Sequence, residues 1–127
     1  MRTSLWIALL LLAATIIGGL LTAHGMRMVS DRYVSAAEEL RILTEKGDWQ
    51  RAAETAAAYL ADWQEQVPLL QTLINHDDTD SVTLALVTLQ AAIQAQDEPG
   101  CLIACAELRE NAQHLYHRDA FTLANVL

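Results

Sequence analysis

The chain has 127 residues, of which 53% are apolar, and a formal charge of −8. Once its apolar N-terminal run is set aside, about one hundred residues remain, enough for one small domain and not for two. Between Arg51 and Arg109 there is no Lys or Arg, whereas nine acids from Glu54 to Glu107 lie in that interval. Such a surface repels phosphate backbones, which excludes nucleic acid as a partner.

Leu5 to Ala23, LWIALLLLAATIIGGLLTA, contains neither charge nor proline. As a helix it reaches about 28 Å, close to the ~30 Å hydrocarbon core of a bilayer. A signal-peptide core is shorter, about 7–15 residues. Ala23 and Gly25 resemble a cleavage site only weakly, so a retained anchor is the expectation. Residues 1–4 form a short head, 5–25 the membrane helix, and 26–127 a helical-bundle domain. The short head and acidic remainder place the N-terminus in the cytoplasm and the domain outside it, in a single-pass cell-membrane protein. Ala14 with Gly18, and Gly19 with Ala23, are small residues four apart, a spacing that lets helices approach closely in lipid. They are the expected partner contacts within the membrane. Trp6 is a candidate interfacial anchor.

Beyond the span the apolar residues take a four-three rhythm. Val29, Tyr33, Ala36, Leu40 and Leu43 form one seam of an amphipathic helix. Gly47 supplies its stop and Asp48 the cap of the next helix. That second seam is Trp49, Ala53, Ala56, Leu60, Trp63 and Val67. Ala52, Ala57 and Ala58 widen its small-residue face for close approach of a neighbour. Pro68 is expected to end or kink the helix, leaving Leu69 to Ile74 as a short apolar turn. A polar cluster, Asn75 to Ser81, precedes a third seam of Val82, Leu86, Leu89 and Ile93. Asp97 to Gly100 is a further break, with Pro99 suited to a first helical position. Cys101, Cys105, Leu108, Ala112 and Leu115 make the fourth seam. A tail, Ala120 to Leu127, offers Phe121, Leu123 and Val126 to cap the core. The second and fourth seams match at an offset of 52 residues. The fold class is therefore all-α: one N-terminal transmembrane helix, then a small antiparallel bundle of about four helices built as two αα-hairpins.

The span, Gly47-Asp48-Trp49 with Ala52 or Ala53, Trp63, Ile74-Asn75-His76-Asp77 and the ending Asn125-Val126-Leu127 carry a resemblance. The chain resembles a family of short bacterial single-span proteins, the domain of unknown function four-three-six-three. The match covers nearly the whole chain and rests on order and spacing. It implies an all-helical, membrane-anchored domain and no assigned activity.

No Ser/His/Asp order, glycine-rich phosphate loop or paired acid in a cleft occurs, so no enzyme and no cofactor is expected. His76, Asp77 and Asp80 are the candidate metal ligands, since His76 and Asp80 share a helical face. The cluster lacks the Gly and bidentate Glu of a calcium loop, and a capped helix start explains it more simply. Cys101 and Cys105 lie one turn apart on an apolar seam, where core packing is the expected role. Trp49 and Trp63 read as core, and His114 and His117 as a solvated helix end. The expected function is an extracytoplasmic protein-interaction or structural accessory module of the cell envelope, bound to a membrane or envelope protein or to copies of itself. The alternative is a small-ligand or divalent-cation sensor signalling through a membrane partner.

Overall fold

A computed structural model describes residues 1–126, with side chains through Tyr116. The described residues form four helices: α1 (Arg2–Glu45), α2 (Trp49–Leu73), α3 (His76–Gln94) and α4 (Glu98–Val126). No strand occurs among the described residues. Connections of two or three residues force each helix antiparallel to the next. The C-terminal half of α1, from Met26, then closes the bundle against α4. Arg109 of α4 reaches Glu38 of α1, and Tyr116 lies beside Arg27, so that pair is antiparallel too.

α1 is one 44-residue helix. It passes from the apolar run into the first domain seam without a break. Neither Gly18 nor Gly19 interrupts it, and Thr15 and Thr22 turn their hydroxyls back onto the carbonyls of Leu11 and Gly18. Hydroxyls satisfied in this way are tolerated in an apolar surround.

All four seams supply core residues. Tyr33, Ala36, Leu40 and Leu43 of α1 are buried, as are Val82, Leu86, Leu89 and Ile93 of α3 and the whole fourth seam of α4. In α2 only Ala56 and Trp63 of the expected seam are fully buried, joined by Ala52 and Leu70. Ala57 and Ala58 face solvent. The most extensive packing is instead between α1 and α4, where Ala36 and Ala37 lie opposite a helix bearing Cys101, Ala104, Cys105 and Ala112. Small side chains let two axes come together. Between α1 and α2 the residues are large: Tyr33, Tyr59 and Trp63 hold that pair further apart.

Three expectations need correction. Pro68 does not end a helix; α2 continues through it to Leu73. Pro68 and Gln64, whose carbonyl loses its donor, are both exposed, so water can serve that carbonyl. The third helix begins at His76 rather than after the polar cluster, because Asn75 is the cap: its Oδ1 accepts from the Asp77 N–H at 3.1 Å. Asp77 and Asp78 then occupy the first turn, facing the positive end of the helix dipole. Finally, the internal repeat has an offset of 49 residues, not 52, as the two inter-helix turns show. The Asp48 N–H donates to the Leu43 carbonyl and that of Gly47 to Thr44; the Asp97 N–H donates to Ala92 and that of Gln96 to Ile93. Both are Schellman turns. Each is followed by an Asp whose carboxylate caps the next helix, Asp48 on the Arg51 N–H and Asp97 on the Gly100 N–H.

The two turns differ at the left-handed residue. Gly47 has φ +73°, but its counterpart Gln96 holds φ 52° with a side chain. A non-glycine residue there costs about 1 kcal/mol. Gln96→Gly is therefore expected to stabilise the domain by about that amount, and Gly47→Gln to destabilise it similarly; urea midpoints measure both. The expected core-capping side chains Phe121, Leu123 and Val126 lie outside the described side chains.

Candidate functional site

Among the described residues, hollows lie between α1 and each of its neighbours α2 and α4. The first lies between α1 and α4, lined by Ala37, Glu38, Arg41, Leu102, Cys105 and Arg109. Glu38 accepts from Arg41 and from Arg109, both at 2.9 Å, and Arg41 also meets Glu45 at 2.8 Å. The Arg41 guanidinium, and less strongly that of Arg109, hold the Glu38 carboxyl below its ordinary range. The charges here already satisfy one another, so the hollow is a braced seam rather than an open electrostatic site.

Cys105 closes the floor of that hollow. Burial pushes its thiol up to about 12, and burial raises that of Cys101 as well. Both cysteines are buried and free. A thiolate is the reactive form, so both are expected to resist an aromatic disulfide reagent at neutral pH in the folded chain. Two thiols should titrate rapidly once denaturant unfolds the domain.

The second hollow lies between α1 and α2 and is polar, with Arg32, Glu39, Glu54, Tyr59 and Asp62 on its walls. Arg32 pairs with Asp62 and stands 5.9 Å over the Tyr59 ring. Tyr59 donates to Glu39 at 2.8 Å. Behind it sits the aromatic centre of the bundle. Tyr33 meets Trp63 edge-on with ring centroids 5.0 Å apart, and Tyr59 at 6.1 Å. Burial raises the Tyr33 phenol to about 12, against the opposing pull of Arg32. The buried Trp63 Nε1–H donates to Thr83 Oγ1 at 2.8 Å, and the Thr83 hydroxyl donates to the Thr79 carbonyl. Gln71 donates to Thr79 Oγ1 at 3.2 Å, and that hydroxyl donates to the His76 carbonyl. This chain of threonines satisfies the polar atoms that burial of Trp63 brings in. Trp49, the second tryptophan of the bundle, is half-buried at the start of α2 and packs on the core from its edge.

The third hollow is apolar and lies at the base of the domain, between α1 and the end of α2. Leu21, Gly25, Val29, Leu69, Leu70 and Leu73 line it, around about 340 Å³.

The three candidate metal ligands, His76, Asp77 and Asp80, lie on the surface of α3, all exposed on its first turns. Among the described residues no group of three His, Cys, Asp or Glu side chains could hold a metal ion. His114 pairs with Glu110 at 3.3 Å on the α4 surface. Ala14, Gly18, Gly19 and Ala23 lie on α1 below the domain; a Cβ added at Gly18 or Gly19 meets nothing within 4 Å.

The geometry defines an all-helical domain whose first helix carries an exposed apolar extension long enough to cross a bilayer. The chain belongs to the family described as Domain of unknown function (DUF4363), whose model matches residues 20–126. The match begins inside the apolar run of α1 and takes in the whole bundle. No curated protein and no solved structure matches the chain.

Proposed function

We propose that this chain is a membrane-anchored, extracytoplasmic helical module that serves as a protein-interaction or structural accessory subunit in the cell envelope. The observation that carries the proposal is the continuity of α1: the helix that bears the apolar run is also the first element of the bundle. None of the most apolar part of α1 is buried in the protein, unlike the core helix of a soluble domain. Cleavage after Ala23 would cut an unbroken helix three residues before the buried Met26, which supports a retained anchor. The N-terminus is cytoplasmic in this reading, and the acidic bundle stands on the other side.

A rigid connection transmits the position of whatever binds the span directly to the bundle. Ala14 with Gly18, and Gly19 with Ala23, are the contacts proposed for a partner helix, either a membrane protein or a second copy. A photo-crosslinking residue at Gly18 is expected to give a discrete protein adduct in membranes. The same residue at Leu20, around the helix, is expected to give lipid adducts only. Equal, diffuse labelling at both positions would count against a partner at this face.

A further inference from the structure

We propose that the apolar hollow at the base of the bundle is filled by lipid, so that the end of α2 is seated in the bilayer beside α1. This rests on the reading of α1 as a membrane anchor and adds a second point of membrane contact.

The register of α1 against α2 carries the inference. Arg32 lies opposite Asp62, and Tyr33 opposite Gln66. Followed down the antiparallel pair, this register brings Leu69, Leu70 and Leu73 alongside Leu21, Gly25 and Met26, the residues with which they share the hollow. Leu21 and Thr22 belong to the apolar run itself. Any depth that places that run in hydrocarbon places the last turn of α2 at its edge. A bundle standing clear of the membrane would have to pull Leu21 out with it.

The chemistry of the segment agrees. Gln66 to Asn75, QVPLLQTLIN, has no charged residue in a chain that carries sixteen acids. Leu69 and Leu73 are 68% and 50% exposed, and Leu21 is 67% exposed. Three large leucines held open at one end of a small acidic domain leave apolar surface in water that burial would remove. Acyl chains in the hollow would cover them. The nearest cation of α1, Arg27, stands one turn above Ala23 beside the Tyr116 ring, at 5.9 Å. An arginine and a tyrosine at that height match the headgroup level of a bilayer. Pro68 fits the same picture: its exposed break in the hydrogen-bond ladder lies on the turn before Leu69, where headgroup water is still at hand.

The test uses the full chain in phosphatidylcholine vesicles. Nitroxide labels are placed singly at Leu69→Cys, Leu73→Cys, Leu12→Cys within the span and Ala57→Cys on the exposed upper part of α2. The buried Cys101 and Cys105 stay unlabelled in the folded chain, and all four positions are exposed, so the fold survives. Collision with oxygen, which concentrates in lipid, is compared with collision with a water-soluble nickel chelate. Labels at 69 and 73 should favour oxygen, less strongly than the label at 12, with the ratio reversing at 57. A lipid-exposed label at 12 with aqueous labels at 69 and 73 would overturn the seating and leave the anchor standing. Labels at 69 and 73 shielded from both reagents would also overturn it, since protein, such as a second copy, would then fill the hollow. An aqueous label at 12 would remove the anchor and the seating together.

Discussion

Trp63→Ala is expected to destabilise the domain by about 3–5 kcal/mol, the range for removing a fully buried large aromatic. Small domains have only about 5–15 kcal/mol in total, so the variant should be largely unfolded at modest urea. Trp63 has no exposed surface. Its ring is the edge-on partner of Tyr33, and its indole N–H holds Thr83. Removing it empties the space between α1 and α2 that Tyr33 and Tyr59 flank, where the neighbouring aromatics cannot collapse without drawing two helix axes together. Trp63→Phe should recover most of the packing but leave Thr83 without its donor, at a residual cost of about 1–3 kcal/mol. The comparison separates ring volume from the hydrogen bond. Chemical denaturation followed by circular dichroism reads both variants.

The second large effect concerns the span. Leu12→Arg with Ile16→Arg places two cations on one face of the apolar run. Each costs about 2.5–3.5 kcal/mol at the centre of a membrane helix. Together they amount to about 5–7 kcal/mol, enough to shift the chain from membrane to aqueous or aggregated fractions by several orders of magnitude. Both positions are exposed and far from the bundle, so the domain itself should keep its melting temperature. Flotation of vesicles reads the membrane partition. Unchanged flotation would mean that α1 does not cross the bilayer.

Much of this fold was legible because each helix has one apolar seam. Tyr33 to Leu43, Val82 to Ile93 and Cys101 to Leu115 all face the core as the four-three rhythm predicts. The same rhythm misplaced the internal repeat. Offsets of 49 and 52 differ by three residues, about one helical turn, so either shift returns residues to the same face. Only the turns distinguish them, and one uses Gln96 where a sequence reading looks for glycine. The start of α3 was misread for a related reason. Asp77, Asp78 and Asp80 resemble loop composition, but behind an Asn cap they are the acidic first turns of a helix. The pairing of α1 with α4 was hidden because it joins segments some seventy residues apart; its sequence signal is the concentration of Ala and Cys on both seams. At the candidate site, the small-residue positions of the span were visible as spacing. The basal hollow was not, because Leu69 and Leu73 were read as a detached apolar turn after Pro68. The uncharged stretch Gln66–Asn75 was the signal that could have found it.

In the proposed function α1 anchors the bundle with the domain outside the cytoplasm. Cysteines introduced at Thr3 and Ala57, on opposite sides of the apolar run, test it most directly in intact cells with a membrane-impermeant maleimide. Labelling is expected at 57 in intact cells and at 3 only after permeabilisation. Labelling at 3 without labelling at 57 would invert the topology, and recovery of the chain in the soluble fraction would contradict the anchor.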